Sequence, residues 1–194
     1  MAKSTPARTK KVRGGPKGTR ARGAAPGGAA AQRPDRRTTT RASPAADAAN
    51  AWRQGVSKDA AAAIDTVLAH VQAVAEEQLG RHGSLPPFLV TARKDGEYEL
   101  DALPPEQVEQ LSADEVLAAL RETAVRGRDE ILCAGVAFPA TLPDRSGQTA
   151  LVVETEHREG ESLTVVQSYR VEGAERTVGF GDVAVEPAAR WLWP

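Results

Sequence analysis

The sequence predicts an α+β protein: two helices packed on a mainly antiparallel sheet of about five strands, preceded by a disordered basic N-terminal arm. Three observations predict it. Residues 1–50 carry twelve Lys and Arg against two acids, with Met1 and Val12 as their only large apolar residues. Two later stretches repeat apolar residues every three to four positions behind a serine, as amphipathic helices do. Three more alternate apolar and polar residues between turn clusters, as half-buried strands do.

The first helix starts at Ser57 as N-cap, shows Ala60, Ile64, Val67, Leu68, Val71, Val74, Ala75 and Leu79 on one face, and ends at Gly80. Leu85-Pro-Pro-Phe88 is a stiff entry to a strand that Lys94-Asp95-Gly96 turns into Tyr98-Glu99-Leu100, a hairpin. Residues 103–111 form a proline-opened spacer with a helical turn or two. Ser112-Ala-Asp-Glu115 fits a capping box, in which serine hydroxyl and glutamate carboxylate each satisfy an orphan amide, and opens a helix ending near Gly127. Ile131 to Leu142, Thr149 to His157 and Leu163 to Val171 then read as a three-strand meander with one covered and one wetter face. Gly179, Gly181 and Pro187 reduce Thr177 to Val185 to a short edge strand at best, and Trp191-Leu192-Trp193 docks on the body.

Two charge signs divide the chain. Residues 1–50 are +10 and residues 51–194 are −11. The apolar-poor first part cannot bury enough surface to offset backbone ordering of about 1–2 kcal/mol per residue. We therefore divide the chain into a disordered Ala/Gly/Pro/Arg-rich arm, 1–55, and a single α+β domain, 56–194, whose core is mostly Val, Leu, Ile and Ala. The one cysteine, Cys133, lies in the apolar run from Ile131 to Phe138 and reads as inert packing. No run of about 18 apolar residues offers a membrane-spanning helix, and no apolar stretch follows the N-terminal charges as a secretory signal requires. A cytoplasmic location is the default expectation; a transit peptide matches the arm's composition but lacks its apolar helical face.

The order helix, hairpin, helix, three strands resembles the layout of roadblock-type and profilin-like domains. His82-Gly-Ser-Leu-Pro-Pro-Phe88, Asp95-Gly96 and Glu156-His157-Arg158-Glu-Gly160 followed by Tyr169-Arg170 also resemble a family of small uncharacterised bacterial proteins over residues 56–175. The resemblance implies the fold and carries no function.

Chemistry-bearing motifs are few. His70, His82 and His157 lie at no metal-ligand spacing, so no metal site and no cofactor is expected. His157 beside Glu154 and Glu156 is the best candidate for acid and base work or for an open metal site, yet strand alternation puts it on the face opposite both acids, where a solvated strand end is the plainer reading. His82 reads as a cation at a helix C-terminus, His70 as helix surface. Neither a G-x-S-x-G nor a phosphate-loop spacing occurs; Arg13 to Gly18 has only the composition of one.

The arm carries a mechanism: Lys10, Lys11, Arg13, Lys17, Arg20, Arg22, Arg36 and Arg37 can neutralise phosphates and release counterions, blind to sequence because no aromatic residue stacks on bases. The leading expectation is a non-enzymatic interaction module whose arm binds nucleic acid or another polyanion. Three other readings of the arm stand beside it: a solubilising tail, a segment folded back on the acidic body, or a mis-assigned start ahead of a valine codon at Val56. The alternative function is a protein-protein scaffold or immunity-like module that meets an unidentified partner through an acidic sheet face and Trp191 and Trp193, aromatic residues being common hot spots. A small-molecule enzyme would rest on His157 and Glu156 alone.

Overall fold

The computed structural model describes residues 49–142 and 147–194. The arm residues singled out above lie outside the described residues, and so do residues 143–146. A 3-10 turn, Ala51–Arg53, lies close to the start of the described residues. Its Trp52 packs against the core and Arg53 pairs with Asp65, so the folded part starts ahead of Val56.

Helix α1 runs Lys58–His82. The Ser57 hydroxyl accepts the Ala60 amide at 3.1 Å, and Ala60, Ile64, Val67, Val71, Ala75 and Leu79 form its buried stripe. The helix passes the expected stop at Gly80 and ends at Gly83, which takes φ +70° and gives its amide to the Leu79 carbonyl at 2.8 Å. Gly80 keeps helical backbone because the left-handed turn is made three residues later, and Arg176 closes the end by donating to the Arg81 carbonyl.

Strands β1 (Phe88–Arg93) and β2 (Tyr98–Asp101) form the hairpin, a one-turn helix α2 (Pro105–Val108) follows, and α3 (Ala113–Gly127) opens on the expected capping box. In that box Glu115 donates its amide to the Ser112 hydroxyl and accepts the Ser112 amide at 2.8 Å. Strands β3 (Ile131–Leu142), β4 (Gln148–His157), β5 (Ser162–Glu172) and β6 (Thr177–Pro187) complete one antiparallel sheet in the order β2-β1-β3-β4-β5-β6.

The sheet therefore has six strands, not five. The additional strand is β6, eleven residues long where a short edge was expected. Its glycines do not break it because an edge strand needs one partner only, and at the register shift between Gln167 and Tyr169 a Cβ on Gly181 would overlap the Ser168 hydroxyl. Glycine is what lets β6 close on β5 there.

The two long helices lie on opposite faces of the sheet. Phe88, Val90 and Ala92 of β1 with Cys133 and Ala137 of β3 pack under α1, whereas Leu89, Ala134 and Val136 pack under α3. Both faces of β1 and β3 are thus covered, and the wetter surface lies toward the sheet's two edges, on β2 and on the β4–β6 half of the α3 face, where Glu154, Thr164 and Val166 stay half-buried. Between α1 and β3 the approach is close: a Cβ on Gly135 would lie 2.9 Å from Val67 Cγ1 and 3.4 Å from Val153 Cγ1. Gly135→Ala is expected to destabilise the fold by about 1–3 kcal/mol through overpacking, read as a lower urea midpoint at unchanged m-value. An unchanged midpoint would mean that α1 can shift away from the sheet without loss.

Candidate functional site

The chemistry-bearing residues of the folded part gather at one end of β4. Alternation along this strand sends Leu151, Val153, Thr155 and His157 toward α1, and Val152, Glu154 and Glu156 toward α3. His157 and Glu156 are consequently on opposite faces, as strand alternation requires, and cannot act on one substrate atom.

His157 is only 5% exposed, which corrects the expected solvated strand end. The tight β4–β5 turn folds over it: Gly160, at φ +118°, donates to the His157 carbonyl at 3.0 Å, and the Glu159 amide donates to the His157 Nδ1 at 3.2 Å. Glu159 in turn accepts the Ser57 hydroxyl at 2.6 Å, tying this turn to the N-terminus of α1. Burial pushes the His157 imidazolium down from its ordinary value, and the carboxylates of Glu159 and Glu161 offset this only in part. With the Nδ1 lone pair taken by an amide, the imidazole is neutral and carries its proton on Nε2.

His157, Glu159 and Glu161 are also the one grouping of three metal-capable side chains among the described residues, with ligand atoms within 4.8 Å of one another. Their sequence spacing, two and two, is that of a turn and gave no ligand signature. Glu161 Oε2 lies 3.8 Å from His157 Nδ1, buried and without a hydrogen-bond partner among the described residues. The imidazole Nδ1 and the Glu159 carboxylate are both engaged already, so the cluster offers a cation little beyond the Glu161 oxygen.

On the other face Glu156 has no exposure at all. Its carboxylate accepts four donors: Arg190 Nε at 2.8 Å, the Trp191 and Leu192 amides at 2.7 Å each, and the Trp193 amide at 3.1 Å. Burial by itself pushes this carboxyl up, but the Leu192 amide, the Arg190 guanidinium and the Trp191 and Trp193 amides outweigh it, leaving the group below its usual range. The chain's last residues are thereby fastened across β3 and β4. Leu192 is fully buried, and Trp191 and Trp193 are half-buried against the cluster of α3, Leu89 and Val136. Sequence reasoning missed Glu156 as an anchor. The usable signal was Arg190 next to a Trp-Leu-Trp run, a cation and three amides in one short stretch.

Of the remaining candidates, Cys133 lies opposite His157 in the β3–β4 pairing, whereas His82 and His70 stand apart. Cys133 is fully buried, its thiol pushed up to about 12 by burial, with the Thr155 hydroxyl 3.6 Å away. His82 is exposed in the last turn of α1, and exposed His70 lies against Tyr98, ring centroids 4.5 Å apart. A hollow of about 250 Å³ between β5 and β6, lined by Tyr169, Arg170 and Phe180, contains none of these groups.

Two measurements test this geometry. Glu156→Gln sets an amide NH₂ against backbone N–H donors and is expected to cost about 2–4 kcal/mol, with increased solvent exposure of tryptophan fluorescence as the terminus undocks. Because the folded carboxyl titrates below the unfolded value of about 4.3, the wild-type contribution is complete above that pH and is lost as pH falls through the folded value. His157 acts in a higher window: its folded value is depressed below about 6.5, so its contribution is complete above 6.5 and is lost as pH falls through the folded value. His157→Asn, which keeps an acceptor for the Glu159 amide, is expected to flatten the urea midpoint between pH 7 and 5; an unchanged slope would place the titration elsewhere.

Comparison with protein-family models, with curated proteins and with solved structures finds no match.

Proposed function

We propose that this chain is a non-enzymatic interaction module whose basic arm binds nucleic acid or other polyanions without sequence preference. The observation that carries the reading is the partition of charge: twelve Lys and Arg against two acids over residues 1–50, followed by a body of net −11. Lys10, Lys11, Arg13, Lys17, Arg20, Arg22, Arg36 and Arg37 supply the cations, and the arginines add planar donors suited to phosphate oxygens. The arm has no aromatic residue to stack on a base, so its contacts are to the backbone charge alone.

The non-catalytic half of the reading is supported by the bonds and burial that already engage three of the reactive groups. Glu156 is saturated by the C-terminal segment, the His157 Nδ1 by an amide, and the Cys133 thiol is held protonated by burial. Each of these bonds builds the fold.

Retention of duplex DNA by the full chain is expected to fall steeply with salt, with a slope of log K on log[salt] of about −0.9 per phosphate neutralised, and to be the same for duplexes of different sequence. A chain with the eight named Lys and Arg replaced by Gln is expected to bind at least about tenfold more weakly at 50 mM salt. Equal retention by the two chains would reject the arm's role.

A further inference from the structure

We propose that the open edge of β2 accepts an extended peptide of alternating basic and apolar residues as a seventh strand of the sheet. The proposal concerns the folded body and does not rest on the arm.

Among the described residues β2 pairs with β1 alone. The Arg93 amide donates to the Glu97 carbonyl at 2.9 Å and the Arg93 carbonyl accepts the Gly96 amide at 3.1 Å, so Arg93 stands at a hydrogen-bonded position of the ladder. Bonded and non-bonded pairs alternate in an antiparallel ladder, so Tyr98 and Leu100, opposite Ala92 and Val90, turn their backbone N–H and C=O groups away from β1 to the open edge. These two residues also carry exposed apolar side chains, at 40% and 54%, on the α1 face of the sheet. Tyr98 is braced there by the His70 ring. Glu97, Glu99 and Asp101 point to the other face by alternation.

Charge selects the occupant. From Asp95 to Leu120 the chain holds eight acids and no Lys, Arg or His. Seven of the eight are exposed and Asp101 is half-buried. The nearest guanidinium, Arg93, is engaged by Glu99 at 3.1 Å and by Asp95 at 3.9 Å. An incoming strand would set one row of side chains beside Glu97, Glu99 and Asp101 and the other beside Tyr98 and Leu100. Lysine or arginine fits the first row and an apolar residue the second.

Acids on an edge strand are a common guard against unwanted pairing, and here the guard has a single sign. A second β2 would lay acid against acid and is rejected, as is any acidic strand; a basic strand is drawn in. The acidic run continues through α2 into the first turn of α3, which extends the attraction past the four residues of the strand itself.

The test is fluorescence anisotropy of the full chain titrated into a labelled ten-residue peptide of Lys-Val-Lys-Thr repeats at low salt, with a peptide in which Pro replaces Val and Thr as the strand-incompetent control. The expected result is saturable binding of the first peptide at least tenfold tighter than of the proline control. Leu100→Pro removes an outward N–H and leaves the bonds to β1 intact; it is expected to weaken binding at least tenfold. The double variant Glu97→Lys, Asp101→Lys is expected to lose the lysine peptide and to take up a Glu-Val-Glu-Thr peptide instead. Equal binding of the proline control would overturn the proposal by showing attraction through charge alone. Unchanged affinity in Leu100→Pro would overturn it as well, and where circular dichroism shows that variant unfolded, failure of the double variant to exchange its preference does so.

Discussion

A carboxylate without exposure must be answered by donors, and the way Glu156 is answered organises one face of this molecule. Its four partners all come from residues 190–193, so the charge that β4 buries is matched by a cation and three amides that no helix or strand could use. The consequence is packing. Leu192 is delivered into the cluster beneath α3, and Trp191 and Trp193 cover its rim. Burial of one ion thus fixes the end of the chain, and the end of the chain seals the core that α3 alone leaves open. The other face needs no such device, because α1 is long enough to cover β1, β3 and β4 and Gly135 lets it settle onto them.

Local rules made much of this legible in the sequence. The serine caps at Ser57 and Ser112 are devices of four residues and need nothing distant, and the turn at Gly96 is as local. The end of β3 follows from the turn-forming residues that begin at Pro143, and alternation along β4 correctly separated His157 from Glu156. What was illegible depends on neighbours that only the fold supplies. His157 is buried because the β4–β5 turn meets the start of α1 through Ser57 and Glu159, residues about a hundred positions apart. β6 extends through two glycines because Ser168 comes close enough to need one of them. Helix ends behave the same way: Gly80 and Gly83 are equivalent on paper, and the αL conformation of Gly83 with Arg176 beside it decides between them.

Acidity in the body is not spread evenly. Eight of its acids fall in the uninterrupted stretch from Asp95 to Leu120, around β2, while those at the far end of β4 are spent on structure: Glu156 on the C-terminal segment, Glu159 on Ser57. Net charge describes encounter rates and solubility, whereas placement decides what a charge can recognise. A carboxylate held by three amides contributes nothing to an encounter, and one standing beside an unpaired backbone edge contributes register as well as attraction.

The two proposed contacts of this protein therefore differ in kind. Cations on the arm meet phosphate charge, and that attraction fades with salt in proportion to the counterions released. Pairing at β2 combines charge with backbone hydrogen bonds and a side-chain pattern of period two, and only the charge is screened over the Debye length of about 10 Å at 0.1 M salt. A peptide held at β2 should then keep its preference for alternation at salt concentrations that erase its preference for lysine. Since the edge has only two outward-facing residues, such an association is expected to be weak and rapidly reversible, which suits a surface that samples partners more than one that builds a permanent assembly.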